Sequence, residues 1–350
     1  MPNPFFYGGR VNPEQFVGRR AELQRIFAGL EVAHTGQMQS FSVVGPRRIG
    51  KSSLLFYIAN RYARDLTQAA QYRFGYVELQ DAHCKTLDGL FRTILDSLQV
   101  SSSEALTLAK FQDEILKLKA AGNYPVVCLD EFETLAQKTD VYDRDLYDCW
   151  RHLMNENAIA FITASKTPLI DLAQTLGYTS PFFNVFTYLP LGELTDDEAR
   201  TLIARGADCD RAFTPTEQSD ALLLAGKHPY KLQLAGGLLY EVKANSSIVD
   251  WDWVRREFHL QLEQVGLEEP VINETTPQKI QGILRRLLTS PRYLGRAILD
   301  LLGRDKAADS SALIVGWAII IIVLAVAFGW IGMELLTGWY SFFTGAGKGK

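Results

Sequence analysis

The chain has 350 residues, 47% hydrophobic and 22% charged, enough for more than one packed unit and typical of globular cores. A net charge of −4 argues against a surface built mainly for nucleic acid. The four cysteines (Cys84, Cys128, Cys149, Cys209) are widely spaced and form no C-x-x-C pair, which speaks against zinc and against a disulfide framework and fits a reducing cytosol.

Residues 1–13, rich in Pro, Gly and Asn, read as an extended arm, and Met1-Pro2-Asn3-Pro4-Phe5 lacks the basic start and apolar stretch of a signal peptide. Phe16 to Leu23 then opens an amphipathic helix expected to run to about Leu30. Phe41-Ser42-Val43-Val44 reads as a short buried strand, and Ser53 to Ala59 as the first turns of a helix. Further strands are expected at 73–79, 125–130, 158–164 and 184–189, with helices at 86–98, 106–121 and 146–155 between them. Strands alternating with helices predict a parallel α/β sheet covered on both faces. The pattern changes near Leu191. Thr195-Asp196-Asp197-Glu198 is a capping box opening a helix to about Arg205. Helices at 216–225 and 230–242 complete a small all-α unit over 191–245. Residues 246–309 are polar with helical tendency and read as a linker or a degenerate winged-helix region.

From Ser310 to Met333 no residue is charged, and residues 312–331 are apolar throughout. As a helix they span about 30 Å, the hydrocarbon thickness of a bilayer, and predict a transmembrane helix over 310–333 followed by a short tail, 334–350. Arg292, Arg296, Arg304 and Lys306 flank its near side against Lys348 and Lys350 beyond it, which orients the larger N-terminal part toward the cytoplasm. An anchor so near the end of the chain is expected to insert after translation.

Two motifs carry chemistry. Gly45-Pro46-Arg47-Arg48-Ile49-Gly50-Lys51-Ser52 fits G-x-x-x-x-G-K-[ST] at every fixed position, between an expected strand and an expected helix. Such a loop wraps backbone N–H groups around a phosphate at a helix N-terminus. Lys51 is expected to reach the β- and γ-phosphates and Ser52 to bind Mg²⁺, with Ser53 following in the helix. The second motif is the apolar run Val126-Val127-Cys128-Leu129 ending in Asp130-Glu131. This is a Walker B pattern, in which Asp130 holds Mg²⁺ and Glu131 is the general base that polarises the attacking water. Thr163-Ala164-Ser165-Lys166 ends the next strand, where Ser165 is the candidate to sense the γ-phosphate. Arg151 is the candidate to contact a phosphate in cis or from a neighbouring subunit.

With these parts in place the chain resembles the AAA+ superfamily, and within it the STAND-type signalling ATPases and their archaeal-ATPase-like relatives. Phe16-Val17-Gly18-Arg19-Arg20-Ala21-Glu22 is similar to that family's h-h-G-R-x-x-E box, which implies that Val17, Gly18 and Arg19 frame the adenine. Ala160 to Ser165 resembles its sensor-1 strand. Gly226-Lys227-His228-Pro229-Tyr230-Lys231-Leu232-Gln233 resembles its lid motif, which places Pro229 near the base. The resemblance covers about residues 3–245 and implies a P-loop ATPase domain over 14–190 with 191–245 as its lid. It departs from the family where Pro229 stands at the usual sensor-2 arginine position. That fits STAND proteins better than remodelling motors and implies slow, regulatory ATP hydrolysis with ATP and ADP as the two states. The expectation is then a membrane-anchored switch that forms homo-oligomers with ATP and works with a separate sensor or effector protein. The rival expectation is a membrane-tethered, origin-recognition-like ATPase that binds DNA, for which Arg285, Arg286, Arg292 and Arg296 are the basic residues at hand. An ABC-type transport subunit fits poorly, because the nearest signature lookalike, Leu234-Ala235-Gly236-Gly237, lies after both Walker segments and one membrane helix is too few for a translocation path.

Overall fold

In a computed structural model, the protein is described over residues 3–267 apart from 63–64, 176–180, 208 and 246–248. The expected membrane helix, the tail and the basic residues near 285–296 lie outside these residues. Among the described residues no helix is long and apolar enough to cross a membrane.

Five strands form one parallel sheet: β1 (Phe41–Val44), β2 (Tyr72–Glu78), β3 (Tyr124–Asp130), β4 (Ala160–Ser165) and β5 (Thr187–Pro190), in the order β2-β3-β4-β1-β5. The two motif strands, β1 and β3, are not neighbours. β4 runs between them, pairing Val44 with Ser165 on one side and Leu129 with Thr163 on the other. Both motifs therefore leave the same edge of the sheet, where ligands bind in open α/β folds.

β1, β3 and β4 are buried along nearly their whole length, as expected for strands covered on two faces. One face packs on α1 (Arg20–Glu31) and α2 (Lys51–Arg61), with Ile26, Leu30, Leu54, Leu55 and Ile58 against Phe41, Val43, Val126 and Ile162. The other face carries α3 (Leu87–Ser97), α4 (Leu108–Ala120), the single turn α5 (Glu133–Ala136), α6 (Arg144–Asn155) and α7 (Leu169–Thr175). Trp150, Phe161 and Phe182 lie at its centre, fully buried.

The chain then continues as α8 (Asp196–Ile203), α9 (Pro215–Ala225), α10 (Pro229–Asn245) and α11 (Trp251–Gln264) around a third core. Thr195 and Glu198 cap α8 reciprocally, as the sequence predicts, and Thr214 and Glu217 do the same for α9. Val254, Phe258 and Leu262 carry α11 into this core, so the helical unit extends past residue 245.

The first helix corrects one expectation: it opens at Arg20, not at Phe16. Gly18 (φ +80°) and Arg19 (φ +62°) both adopt left-handed backbone, which no α-helix accommodates.

Candidate functional site

A cleft of about 440 Å³ opens at the motif edge of the sheet, within the size range of small-molecule sites. Its walls come from the P-loop, Glu131, Lys166 and Gln80, the Val17–Arg19 box, the lid residues Pro229, Tyr230 and Gln233, and the N-terminal arm.

β1 ends at Val44 and the chain turns through Gly45–Gly50 into α2. Position 45 has no room for a side chain, since a Cβ there would sit 2.5 Å from the Leu191 carbonyl oxygen. The loop is held by its neighbours: Gly45 N donates to Ser165 O (3.2 Å) and Leu191 N to Val44 O (2.7 Å). Lys51, largely buried at the start of α2, donates from Nζ to the carbonyls of Gly45 (2.8 Å) and Pro46 (3.0 Å). Burial lowers its pKa, an effect opposed by Glu131, Glu133 and Asp130. Lys51 thus rests on two backbone carbonyls within the field of three carboxylates, of which Glu131 lines the cleft. Ser52 and Ser53 also line the cleft, and Ser53 Oγ accepts a hydrogen bond from Val11 N (3.2 Å).

Asp130 ends β3 only 3% exposed. Its Oδ1 accepts from Glu131 N (3.0 Å) and its Oδ2 from the Tyr76 hydroxyl (2.7 Å). Burial, then the Asp130 charge, pushes the Tyr76 pKa up, so the phenol stays a donor. Glu131 has left-handed backbone (φ +53°), which ends the extended run of β3. Its Oε2 pairs with Lys166 Nζ (3.3 Å) and accepts a long hydrogen bond from Gln80 Nε2 (3.5 Å).

The Val17-Gly18-Arg19 box ties the two cores together. A Cβ on Gly18 would lie 2.9 Å from Glu198 Cδ, and the Glu198 carboxylate accepts from Arg20 N (3.1 Å) while capping α8. Arg19, 3% exposed, donates to Ile49 O (2.8 Å) from Nη2 and to Glu193 O (3.3 Å) from Nη1, with Glu22 at 3.4 Å. One guanidinium thus joins the box, the P-loop and the segment leading into the lid. Burial lowers its pKa against the pull of Glu22 and Glu198. Across the cleft, Pro229 is the first residue of α10, and the Arg48 guanidinium stacks on the Tyr230 ring at 4.4 Å.

The family described as "Bacterial TniB protein" matches residues 11–177. No curated protein matches the chain. Solved structures do. The Walker-type ATPase of Pyrococcus abyssi is 14% identical over 89% of this chain and 92% of its own, with a TM-score of 0.55. The Aeropyrum pernix ORC2 protein, in its ADPNP–ADP complexes, is 17% identical over 83% and 78%, with a TM-score of 0.57. Cdc6p from Pyrobaculum aerophilum is 11% identical over 94% and 85%, at 0.51. The chain has the fold of the AAA+ P-loop ATPases. At these identities the likeness concerns the fold, and the chemistry rests on the residues themselves.

Within this AAA+ fold the expected site residues fall into two groups. Val17, Arg19, Arg47, Arg48, Ile49, Gly50, Lys51, Ser52, Ser53, Glu131 and Pro229 all line the cleft. Gly18 shapes its wall, and Gly45 and Pro46 receive the Lys51 ammonium. Asp130, Ser165 and Arg151 lie outside the lining, Asp130 being buried beside Glu131. The Ser165 hydroxyl donates to Thr167 O (2.7 Å), closing the turn before Pro168, while its carbonyl holds Gly45. Arg151 sits on α6, the helix that buries Trp150 against the other face of the sheet. Sequence reasoning missed Lys166, Gln80, Tyr76 and Arg10. Lys166 directly follows the sensor-1 strand, and that position was its only sequence signal.

The residues present suit Mg²⁺. Among the described residues no three side chains cluster as a metal cage. A buried carboxylate at Asp130 and a hydroxyl at Ser52 are hard oxygen donors, and Mg²⁺ takes one or two such ligands with phosphate and water completing its shell.

Proposed function

We propose that the protein is an ATP-binding and ATP-hydrolysing switch, held at a membrane through residues 312–331 with its ATPase part in the cytoplasm, whose ATP state assembles with copies of itself. The observation that carries the reading is the convergence of Lys51, Glu131 and Lys166 in a cleft that the lid residues Pro229, Tyr230 and Gln233 also line, with Asp130 buried directly behind Glu131. Lys51 and the loop N–H groups bind the β- and γ-phosphates. Asp130 and Ser52 hold Mg²⁺, which neutralises phosphate charge. Glu131, freed from Lys166, takes the proton of a water that attacks the γ-phosphorus, and ADP and phosphate leave.

Among the described residues the cleft's cations are Arg10, Arg19, Arg47, Arg48, Lys51 and Lys166, none of them from the lid. Where a lid arginine would stabilise charge developing in the transition state, this lid offers Pro229, Tyr230 and Gln233. That supports slow turnover and a STAND-like regulatory use of the nucleotide, in which lid position distinguishes ATP from ADP. The output runs through clustering of the 312–331 helices, with a separate sensor or effector protein as the trigger. The deciding experiment measures the mass of the full-length chain in detergent by light scattering. A monomer with ADP and a larger species with a non-hydrolysable ATP analogue support the switch, and one mass in both states refutes it.

A second reading, a membrane-tethered, origin-recognition-like ATPase that binds DNA, is compatible with a fold like that of ORC2 and Cdc6p and rests on the basic residues Arg285, Arg286, Arg292 and Arg296 of the sequence. Salt-dependent binding of duplex DNA by residues 1–308 would favour it, and no binding at low salt would remove it.

A further inference from the structure

The N-terminal arm is built into the cleft at both ends. Phe5 is buried in the helical core, stacked on Phe213 at 5.5 Å, and a methyl on Gly236 would fall 2.5 Å from its ring. Tyr7 meets Tyr230 edge-on at 6.4 Å, and Phe6 N donates to Gln233 Oε1 (3.0 Å). Three residues on, the Arg10 guanidinium lies 3.8 Å from the Phe56 ring centroid and 4.6 Å from that of Tyr76, and Val11 N donates to Ser53 Oγ. The same Tyr76 gives its hydroxyl to Asp130 Oδ2. Seven residues of chain thus run from α10 of the lid to the carboxylate that ends β3.

We infer that Phe5–Val11 is a strap that fixes the geometry of the Asp130 carboxylate, with Arg10 and Tyr76 as positioning residues for the metal that ATP brings. The inference rests on the function proposed above. Carboxylates that ligate a metal are themselves oriented by hydrogen bonds, and losing such a partner costs about 10–100-fold in metal affinity. Here the partner is Tyr76. Its ring is gripped between Phe56, edge-on at 5.4 Å, and Arg10, whose place is set by the arm's anchorage in the lid. A lid that shifts therefore moves the arm, loosens Tyr76 and weakens the metal site. This makes metal affinity sensitive to lid position without any lid residue touching the metal.

The test titrates Mg²⁺ against a fluorescent ATP analogue bound to the full chain and compares affinity with and without the metal. Tyr76→Phe keeps the ring and removes the hydroxyl. It should raise the half-saturating Mg²⁺ concentration by about 10–100-fold while Mg²⁺-free nucleotide affinity stays at the wild-type value. Arg10→Ala should shift it in the same direction by less, and Arg10→Lys should restore part of the difference. Gly236→Ala, which expels the Phe5 ring, should mimic Arg10→Ala from the far end of the strap. A wild-type Mg²⁺ dependence in Tyr76→Phe overturns the inference and leaves the proposed function standing. Wild-type protein that binds no nucleotide defeats the proposed function itself.

Discussion

The phosphate end of the cleft and its lid end are held by different kinds of contact. At the phosphate end the loop folds on itself: Lys51 binds carbonyls five and six residues back, and α2 starts where the loop stops. At the lid end the joints span most of the described chain. Arg19 reaches Glu193, Arg20 reaches Glu198, and Phe6 reaches Gln233. The loop's own short-range hydrogen bonds do not depend on the lid, although Arg48 and Ile49 also touch lid-side groups. A lid tied by a few long-range hydrogen bonds, one stacked aromatic pair and one edge-on pair can change position at modest cost, since each such contact is worth about 1 kcal/mol. On the proposed function, chemistry belongs to the first region and switching to the second.

That contrast can be broken at either end. Glu131→Gln removes the base from the phosphate end and leaves the binding groups in place. Phosphate release should fall by about 10²–10⁴-fold while ATP affinity is retained. Loss of binding instead would mean that Glu131 shapes the cleft. At the joint, Arg19→Ala leaves the Ile49 and Glu193 carbonyls without their donor and should cost about 1–3 kcal/mol of stability in urea unfolding. An unchanged midpoint would show that the box does not tie loop to lid.

The smallest expected effect lies at the lid. His228 is buried just before α10, its Nδ1 has no hydrogen-bond partner, and burial, with Lys231 adding to it, lowers its pKa below the usual 6.5. The neutral ring is the form the fold accepts. Its contribution is therefore present above pH 6.5 and lost as pH falls through the lower folded value. Wild-type Tm should drop more steeply below pH 6.5 than that of His228→Gln. Parallel curves would show that the ring is not what acid disturbs.

The same contrast explains what was legible in the sequence. The P-loop, the Walker B strand and the Thr195–Glu198 capping box are short-range devices whose residue types and spacing dictate their geometry, and their elements fall within a few residues of expectation. The helix start at Arg20 was less legible, because periodicity does not register that Gly18 and Arg19 turn left-handed to meet Glu198. Lys166, Gln80 and Tyr76 reach Asp130 and Glu131 only because β4 and β2 flank β3, and strand order is not written in any local pattern. The arm was harder still. Phe5, Phe6, Tyr7 and Arg10 look like a loose terminus until the lid core exists to receive them.

The central claim is that this cleft binds ATP through the P-loop, and calorimetric titration of ATP into wild type and Lys51→Ala tests it directly. The account predicts measurable binding by wild type and at least about a 100-fold loss in Lys51→Ala, roughly the 2.7 kcal/mol expected for a charge-assisted contact to phosphate. Equal affinity in the two proteins would contradict it.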